Sequence, residues 1–161
     1  MLRHVVLGLL RDGRQRHGYQ VIVQYKERTG IAMSAGNVYR ELGRLHECRL
    51  VAVGSNPPGV DPRRIPYRLT EAGAKAFDRW LAGGRGRDKD TWERMVFLDR
   101  LSEGDRNRLL KAREDALINE LATLQGDGPE RPPTSPLFYD PAPLLKARRT
   151  LVLQAELAFI R

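Results

Sequence analysis

Apolar residues recur at helical spacing in three segments within the first 50 residues. The first segment ends at Asp12-Gly13, and its apolar positions share one helix face: Leu2, Val5, Val6, Leu9, Leu10. The second, HGYQVIVQYKERTG, ends at Gly30, the residue type favoured just beyond a helix C-terminus. Ser34 is a candidate N-cap for the third, whose stripe repeats at i, i+4 and i+7: Val38, Leu42, Leu45. The pattern predicts three short helices.

Two extended segments and a further helix follow. Residues 50–53 and 65–70 read LVAV and IPYRLT, which are typical of strands, and the intervening NPPGVDPRR is dense in turn residues. A helix then restarts after Thr70, a candidate N-cap, with these inward positions: Ala74, Phe77, Leu81. Three helices, a β-hairpin and a closing helix predict a winged helix-turn-helix domain over residues 1–84. The expected fold class is mainly α with a small β-hairpin.

The second half of the chain predicts long helices. An apolar helical pattern runs through residues 91–125, with a stop and restart at SEGD, residues 102–105. Residues 126–143 contain six prolines and predict a loop. Apolar residues spread widely around the terminal helix, from Leu144 to Ile160, and burial against a partner chain is the simplest way to cover them. We therefore predict a helical dimerisation domain over residues 91–161 with a Pro-rich loop at 126–143.

The positive charge lies entirely in the first half of the chain. Residues 1–90 hold 17 Lys and Arg against 9 Asp and Glu, whereas residues 91–161 hold 11 of each. A basic first domain indicates a polyanionic partner, and the neutral second half of the chain indicates that this half has a different function. Genomic base composition can explain why most of the cations are Arg, but it does not explain the asymmetry.

The sequence does not support several other classes of protein. No apolar run approaches the roughly 20 residues that cross a bilayer, and the N-terminus lacks a signal cleavage site, which predicts a cytoplasmic protein with no membrane partner. The single cysteine, Cys48, is interpreted as a small buried hydrophobe at the end of the third helix. His46 and Cys48 point to different sides of that helix rather than around a metal. Because phosphate-loop and nucleophile-elbow motifs are missing, we expect no enzyme activity, no metal and no cofactor.

The third helix carries polar residues opposite its apolar stripe. Asn37, Arg40 and Arg44 stand at i, i+3 and i+7, where Arg can bind guanine and Asn can bind adenine in the major groove. Ser34, or the N–H groups of the helix N-terminus, can hold a phosphate. A solvated charged face is the alternative for any amphipathic helix. The position before a basic hairpin, in the basic half of the chain, favours DNA recognition.

Four stretches of sequence together resemble the N-terminal domain of PadR-type transcriptional regulators. They are HGYQ at 17–20, NVYRELGRL at 37–45, LV at 50–51 and PRRIPYRLTEAGAKAFDRWL at 62–81, so the resemblance spans roughly half of the chain. It implies a homodimeric winged-helix DNA-binding repressor whose C-terminal helices form the dimer and often a small-molecule pocket. The chain departs from the family at Arg49, where Gly is usual, and Arg is costlier than Gly in a left-handed turn.

The remaining candidate DNA contacts lie on the second helix and on the hairpin. The resemblance implies that Tyr39 lies beside the groove or the phosphates and that Tyr19 lies near the DNA backbone. A Tyr with its ring in the core and its hydroxyl in water is the alternative for both. Arg63 and Arg64, at a Pro-flanked tip, suit phosphates or the minor groove, with a solvated turn as the alternative. Tyr67 belongs to the same predicted site.

These features predict a sequence-specific DNA-binding transcriptional regulator. We expect a repressor that binds a palindromic double-stranded DNA operator as a homodimer and is released by a small aromatic or hydrophobic effector. Trp92 and Phe97 are the candidate effector-binding residues, and packing anchors are the alternative role for them. The alternative function is a winged-helix module for protein interaction or non-specific nucleic-acid binding, without effector sensing. Asn37 and Arg40 favour the first function because they add base-reading groups to phosphate-contacting charge.

Overall fold

The computed structural model describes residues 2–56, 58–59, 61, 64–83, 90–126 and 142–161, which fall into two compact units. The first unit holds the described residues up to 83 together with 90–101, and the second holds those from 102 onward. The elements of the first unit are α1 (Leu2–Leu9), β1 (Arg16–His17), α2 (Gly18–Thr29), α3 (Ala35–Glu47), β2 (Val51–Val53), β3 (Pro66–Leu69), α4 (Glu71–Ala82) and α5 (Thr91–Met95), followed by a 3-10 helix (Leu98–Arg100). The predicted fold class is confirmed.

A three-stranded antiparallel sheet, in the order β1-β3-β2, forms the wing. Val51 pairs with Leu69 and Val53 with Tyr67, which gives the predicted hairpin its register. On the other side of β3, Arg16 also pairs with Tyr67. The sequence does not predict β1, because two residues are too few to show the alternation of apolar and polar positions that marks a strand. This short strand fastens the segment before α2 to the wing.

The core of the first unit lies where α1, α3 and α4 bury their apolar faces. The stripe predicted for α3 is confirmed as fully buried, as are Phe77 and Leu81 on α4, whereas Ala74 is half-buried. Phe97 joins this core, and its ring meets Phe77 edge to face with centroids 5.1 Å apart. A Cβ on Gly8 would lie 2.5 Å from the Phe77 ring, so α1 packs closely on these two aromatics because it has glycine there.

The start of α4 is tied to the chain that leaves α3. Thr70 caps α4 as predicted, since its Oγ1 accepts a hydrogen bond of 3.1 Å from the Gly73 N–H. The same hydroxyl lies 2.9 Å from the Leu50 carbonyl oxygen, to which it can donate. A Cβ built on Gly73 would lie 2.1 Å from that oxygen. The backbone of α4 at Gly73 therefore packs directly on the backbone at Leu50, with no space for a side chain between them.

The turn after α3 adopts the left-handed conformation that glycine favours. Arg49 has φ of 57°, its N–H donates to the His46 carbonyl at 2.9 Å, and the Leu50 N–H donates to the Leu45 carbonyl at 2.9 Å. This is the position where the resembled family usually has Gly. Cys48, beside it, is exposed, so the prediction of a buried cysteine is wrong. The helix ends at the surface, and Leu45 rather than Cys48 makes the last core contact.

Replacing Arg49 with Gly is expected to stabilise the protein. A left-handed L-residue costs about 1–2 kcal/mol, and part of the gain is offset by the greater freedom of Gly in the unfolded chain. We expect the free energy of unfolding to rise by about 1 kcal/mol, measured by urea denaturation. Arg79→Gly, at an exposed position within α4, is the matched control and should lower it by about 1 kcal/mol. If both variants lowered the free energy of unfolding by the same amount, this would contradict the left-handed conformation of Arg49.

Residues 90–101 pack within the first unit, whereas the sequence predicts a second domain from residue 91 onward. The Trp80 indole N–H donates to Asp90 at 3.0 Å, and that hydrogen bond is the main cause that lowers the pKa of Asp90. The guanidinium of Arg94 donates to the Trp80 carbonyl at 3.0 Å. Arg28 on α2 pairs with Asp99 at 2.7 Å. These bonds hold α5 and the 3-10 helix to the winged-helix domain.

The second unit consists of helices α6 (Glu103–Gly126) and α7 (Ala142–Ile160). The predicted helix start at SEGD is confirmed, because Ser102 Oγ accepts a 3.1 Å hydrogen bond from the Asp105 N–H. Between the helices, Arg113 forms a bidentate ion pair with Glu156 at 2.7 and 2.9 Å. Most of the predicted Pro-rich loop falls on residues 127–141, which lie outside the described residues. None of the helices in the described ranges is long and apolar enough to cross a membrane.

One side of α7 is apolar and exposed. Leu153 is the buried residue of this helix, and at about 100° per residue the exposed apolar residues fall in a sector of roughly 120° on the opposite side. Arg148 lies within that sector. The apolar members are Leu144, Leu145, Leu151, Val152 and Phe159, each more than half exposed. The width matches the apolar stripe of a helix that faces a core, so α7 has two apolar sides within this chain.

Candidate nucleic-acid interface

The exposed face of α3 presents the polar residues predicted for DNA recognition. Asn37, Arg40 and Arg44 are all exposed, while the opposite stripe is buried. The Arg40 guanidinium donates to the Asn37 amide oxygen at 2.5 Å, which leaves the Asn37 NH₂ free to act as a donor. Arg44 lies 3.8 Å from Glu41 in a surface ion pair, and such pairs are weak. Both arginines can therefore turn toward an external anion at little cost.

An open cleft of about 620 Å³ lies where α2, α3 and the wing meet. It brings together four residues that the sequence analysis assigned to DNA binding: Tyr19, Tyr39, Arg64 and Tyr67. The remaining lining residues are His17, Gly18, Gln20 and Ile65. Gly18 to Gln20 form the first turn of α2, where N–H groups lack partners within the helix and the helix dipole is positive. The cleft therefore offers one arginine and the positive end of a helix to an anion.

The three tyrosines of the cleft differ in exposure. Tyr19 and Tyr39 are more than half exposed, and the Tyr39 ring lies against Gly18, where a Cβ would come within 2.4 Å of it. Tyr67 is 8% exposed. Burial raises the pKa of the Tyr67 phenol, and the nearby Tyr39 acts in the same direction. Its hydroxyl therefore stays protonated at neutral pH and can donate a hydrogen bond.

The wing presents Arg64 from a loop closed by Asn56. The Asn56 amide donates to the Arg64 carbonyl at 2.8 Å, and the Arg64 N–H donates to the Asp61 carbonyl at 3.0 Å. The Arg64 side chain is exposed at the rim of the cleft. Arg63, the other predicted wing residue, lies outside the described residues. The structure thus places Arg64 beside the N-terminus of α2.

Some residues of the cleft could not be predicted from the sequence as site residues. In the sequence HGYQ carries only a family resemblance. The pairing of β1 with β3 and the lining of the cleft show that His17, Gly18 and Gln20 lie beside the wing. The guanidinium of the nearby Arg16 donates a hydrogen bond to the Asp12 carboxylate, and this hydrogen bonding lowers the pKa of Asp12 to about 2. Arg16 is therefore neutralised within the chain and does not contribute a free cation to the cleft.

Three predicted residues lie elsewhere in the first unit. Ser34 stands at the N-cap position of α3 but makes no capping hydrogen bond with its side chain. Trp92, on α5, is half-exposed, whereas Phe97 has no exposed surface and packs on Phe77 in the core. Among the described residues, no group of three or more His, Cys, Asp or Glu side chains is arranged to hold a metal ion.

Known proteins are similar to this chain in sequence family and in structure. A family model described as the transcriptional regulator PadR-like family matches residues 6–79. The search of curated proteins found no significant match.

Solved structures of low sequence identity are also similar. PadR of Bacillus subtilis in complex with operator DNA is 21% identical, with 99% of this chain and 93% of that chain covered and a TM-score of 0.49. The same protein in complex with p-coumaric acid is 20% identical, with 99% and 90% covered and a TM-score of 0.43. A PadR-like transcriptional regulator from Bacillus cereus is 17% identical, with 98% and 92% covered and a TM-score of 0.42.

Proposed function

We propose that this chain, whose residues 6–79 match the PadR-like family of transcriptional regulators, represses transcription by binding a palindromic double-stranded DNA operator as a homodimer. The family is one of regulators, which is not an enzyme class. The cytoplasm, where a regulator of this kind meets its operator, is the proposed location.

One observation carries the proposal: Tyr39 joins the cleft to the exposed face of α3. Tyr39 lines the cleft and stands next to Arg40 in α3. A DNA phosphate bound in the cleft would therefore place the adjacent groove of the DNA against α3. In this arrangement Tyr19, Tyr39 and Arg64 hold the DNA backbone, and Tyr67 can donate a hydrogen bond from the cleft wall. Asn37, Arg40 and Arg44 then read base edges, with Ser34 near a phosphate at the start of α3.

The apolar sector of α7 supports the homodimer. A two-fold axis brings the same sector of each chain together, so one apolar surface covers the other. Dimerisation also presents two copies of α3 to half-sites about 34–36 Å apart, or a multiple of that spacing. The palindromic form of the operator follows from this symmetry.

Release by a small aromatic or hydrophobic effector remains part of the proposal. Of the two predicted effector-binding residues, Trp92 offers half of its surface and Phe97 offers none, so the exposed face of Trp92 is the better candidate for a ligand contact. The alternative function is a winged-helix module for protein interaction or non-specific nucleic-acid binding. Such a module requires the positive charge of Arg40 and Arg44, but it does not require that their side chains be placed to contact particular bases.

Selection from random duplex DNA tests the proposed function. The full-length chain is expected to enrich an inverted repeat whose half-sites are spaced by one helical turn or a multiple. Enrichment without a common motif would favour the alternative function. The genomic region upstream of the reading frame supplies an independent sequence in which to search for the same motif.

Alanine variants of the arginines on α3 and of those on the wing should weaken DNA binding in different ways. Arg40→Ala or Arg44→Ala is expected to cost about 1–3 kcal/mol in binding to the selected operator and to relax base preference, because the bidentate contact to guanine is lost. The Arg63→Ala, Arg64→Ala double variant should weaken binding to all sequences and flatten its salt dependence, because phosphate contacts release counterions. Fluorescence anisotropy at several salt concentrations measures both effects.

Arg108→Ala serves as the control for lost charge, since Arg108 is an exposed arginine on α6 in the second unit. This control should bind the operator as the parent chain does. A wing double variant that matches the parent at every salt concentration would show that the wing does not contact DNA.

A further inference from the structure

The cleft where α2, α3 and the wing meet is larger than a DNA phosphate requires. Its volume of about 620 Å³ lies within the roughly 300–1,000 Å³ of sites that hold small molecules. Most of its wall is apolar or aromatic, from Ile65 and the rings of Tyr19, Tyr39 and Tyr67. Because a phosphate group fills only a small part of this space, the cleft has room for a ligand with a body of its own.

Tyr67 presents a hydrogen-bond donor to the cleft. The residue is 8% exposed, and its hydroxyl forms no hydrogen bond with any described residue. Some buried polar atoms without a partner, such as His17 Nδ1, are sealed from solvent, but the Tyr67 hydroxyl is not one of them and keeps surface in the cleft that Tyr67 lines. A donor withdrawn from water without a protein partner is suited to an acceptor on a ligand.

The charges around the cleft favour an anion. Arg64 is exposed at the rim, and no carboxylate of the described residues pairs with its guanidinium. The first turn of α2 adds N–H groups and the positive end of the helix dipole. Neither Asp nor Glu is found among the described residues that line the cleft. An oxyanion therefore meets several donors here and no opposing charge.

Tyr19 and Tyr39 supply aromatic surface beside these donors. Both are more than half exposed, although the Tyr39 ring lies against Gly18. Exposed tyrosine rings bind planar aromatic groups by stacking, and nucleobases are groups of this kind. The cleft thus combines an anion site with a surface for a planar body.

We propose that the cleft binds a free phosphate monoester carried on a planar aromatic body, the chemistry of a nucleoside monophosphate, and that this ligand excludes operator DNA. Its phosphate accepts hydrogen bonds from Arg64, the Tyr67 hydroxyl and the first turn of α2. Its aromatic body stacks on Tyr19 or Tyr39. A phosphate monoester suits these donors better than a carboxylate because it carries more charge and three acceptor oxygens. The exclusion rests on the proposed function, which places a DNA phosphate at the same donors, whereas binding of the free ligand does not depend on DNA.

Isothermal titration calorimetry of the full-length chain, without DNA, tests the site. Adenosine 5′-monophosphate is the probe, adenosine lacks its phosphate, and ribose 5-phosphate lacks its aromatic body. We expect the probe to bind at least about tenfold more tightly than adenosine and at least about fivefold more tightly than ribose 5-phosphate. The absence of binding at millimolar concentration, or equal affinity for the probe and either analogue, would overturn the proposal.

Three variants locate the phosphate and the aromatic body. Tyr67→Phe removes only the hydroxyl and should weaken probe binding by about fivefold or more, and Tyr25→Phe, at a half-buried tyrosine outside the cleft, is its matched control. Arg64→Gln should weaken binding by about tenfold or more, with Arg108→Gln on α6 as its control. Tyr39→Leu should reduce the preference over ribose 5-phosphate. Unchanged binding in Tyr67→Phe or Arg64→Gln would show that the probe binds elsewhere and would overturn the site.

Addition of the probe to the complex with the selected operator tests the exclusion. At ten times its dissociation constant the probe should lower operator affinity by about tenfold or more, and ribose 5-phosphate at equal concentration and ionic strength should lower it less. Probe binding with unchanged operator affinity would overturn the exclusion. A chain that binds the probe but selects no operator refutes the proposed function alone. A chain that selects an operator but does not bind the probe refutes the nucleotide site alone.

Discussion

Removal of residues 128–161 is expected to convert a dimer into a largely monomeric basic domain and to reduce affinity for the selected operator by at least about a thousandfold. The truncation deletes α7, and with it the exposed apolar sector that we propose joins the two chains. One copy of α3 then reads one half-site, and what remains is close to non-specific affinity, which is typically 10³- to 10⁷-fold weaker than specific binding.

Light scattering and operator titration measure the two parts of this prediction separately. The full chain should have the mass of a dimer at micromolar concentration, and a monomer mass there would contradict the proposed assembly. Full operator affinity in the truncated chain would show that residues 128–161 do not set the dimer.

A point variant tests the same surface without deleting a helix. Val152→Glu places a charge in the apolar sector and should dissociate the dimer, because an unpaired charge at an interface is costly. Gln154→Glu changes charge at an exposed position outside that sector and is the matched control. Dissociation by both variants to the same extent would point to total charge rather than to the apolar sector.

Replacing Gly73 with Ala is expected to lower the free energy of unfolding of the first unit by about 3 kcal/mol or more. The added methyl would lie 2.1 Å from the Leu50 carbonyl oxygen and 2.8 Å from a Leu69 methyl group. The first contact is with backbone, so either the start of α4 or the turn after α3 must move. Such a shift also disrupts the Thr70 cap, because Thr70 bonds both Gly73 and Leu50.

Urea denaturation, followed by circular dichroism, measures the loss. Gly43→Ala is the matched control, since no described heavy atom lies within 4 Å of a Cβ at that helical position. It should raise the free energy of unfolding by about 0.5–1 kcal/mol, because Ala is the better helix former. If Gly73→Ala were as stable as this control, α4 would not approach the turn as closely as the structure shows.

The local elements of the first unit could be predicted from the sequence because their signals are local. The stripe at Val38, Leu42 and Leu45 specifies both a helix and its buried face, and Thr70 marks where α4 begins. The turn residues between β2 and β3 predict a hairpin by the same reasoning. The order of these elements then predicts the winged-helix domain, and the exposed face of α3 follows from the stripe on its other side.

Only the tertiary structure decided which distant segments meet. β1 exists because Arg16 pairs with Tyr67, and that pairing brings the start of α2 to the wing and creates the cleft. Phe97, expected at a ligand site, lies in the core because Phe77 and the glycine of α1 leave space for its ring. Residue spacing reports which face of an element is apolar, whereas the partner of that face is selected by packing over the whole unit.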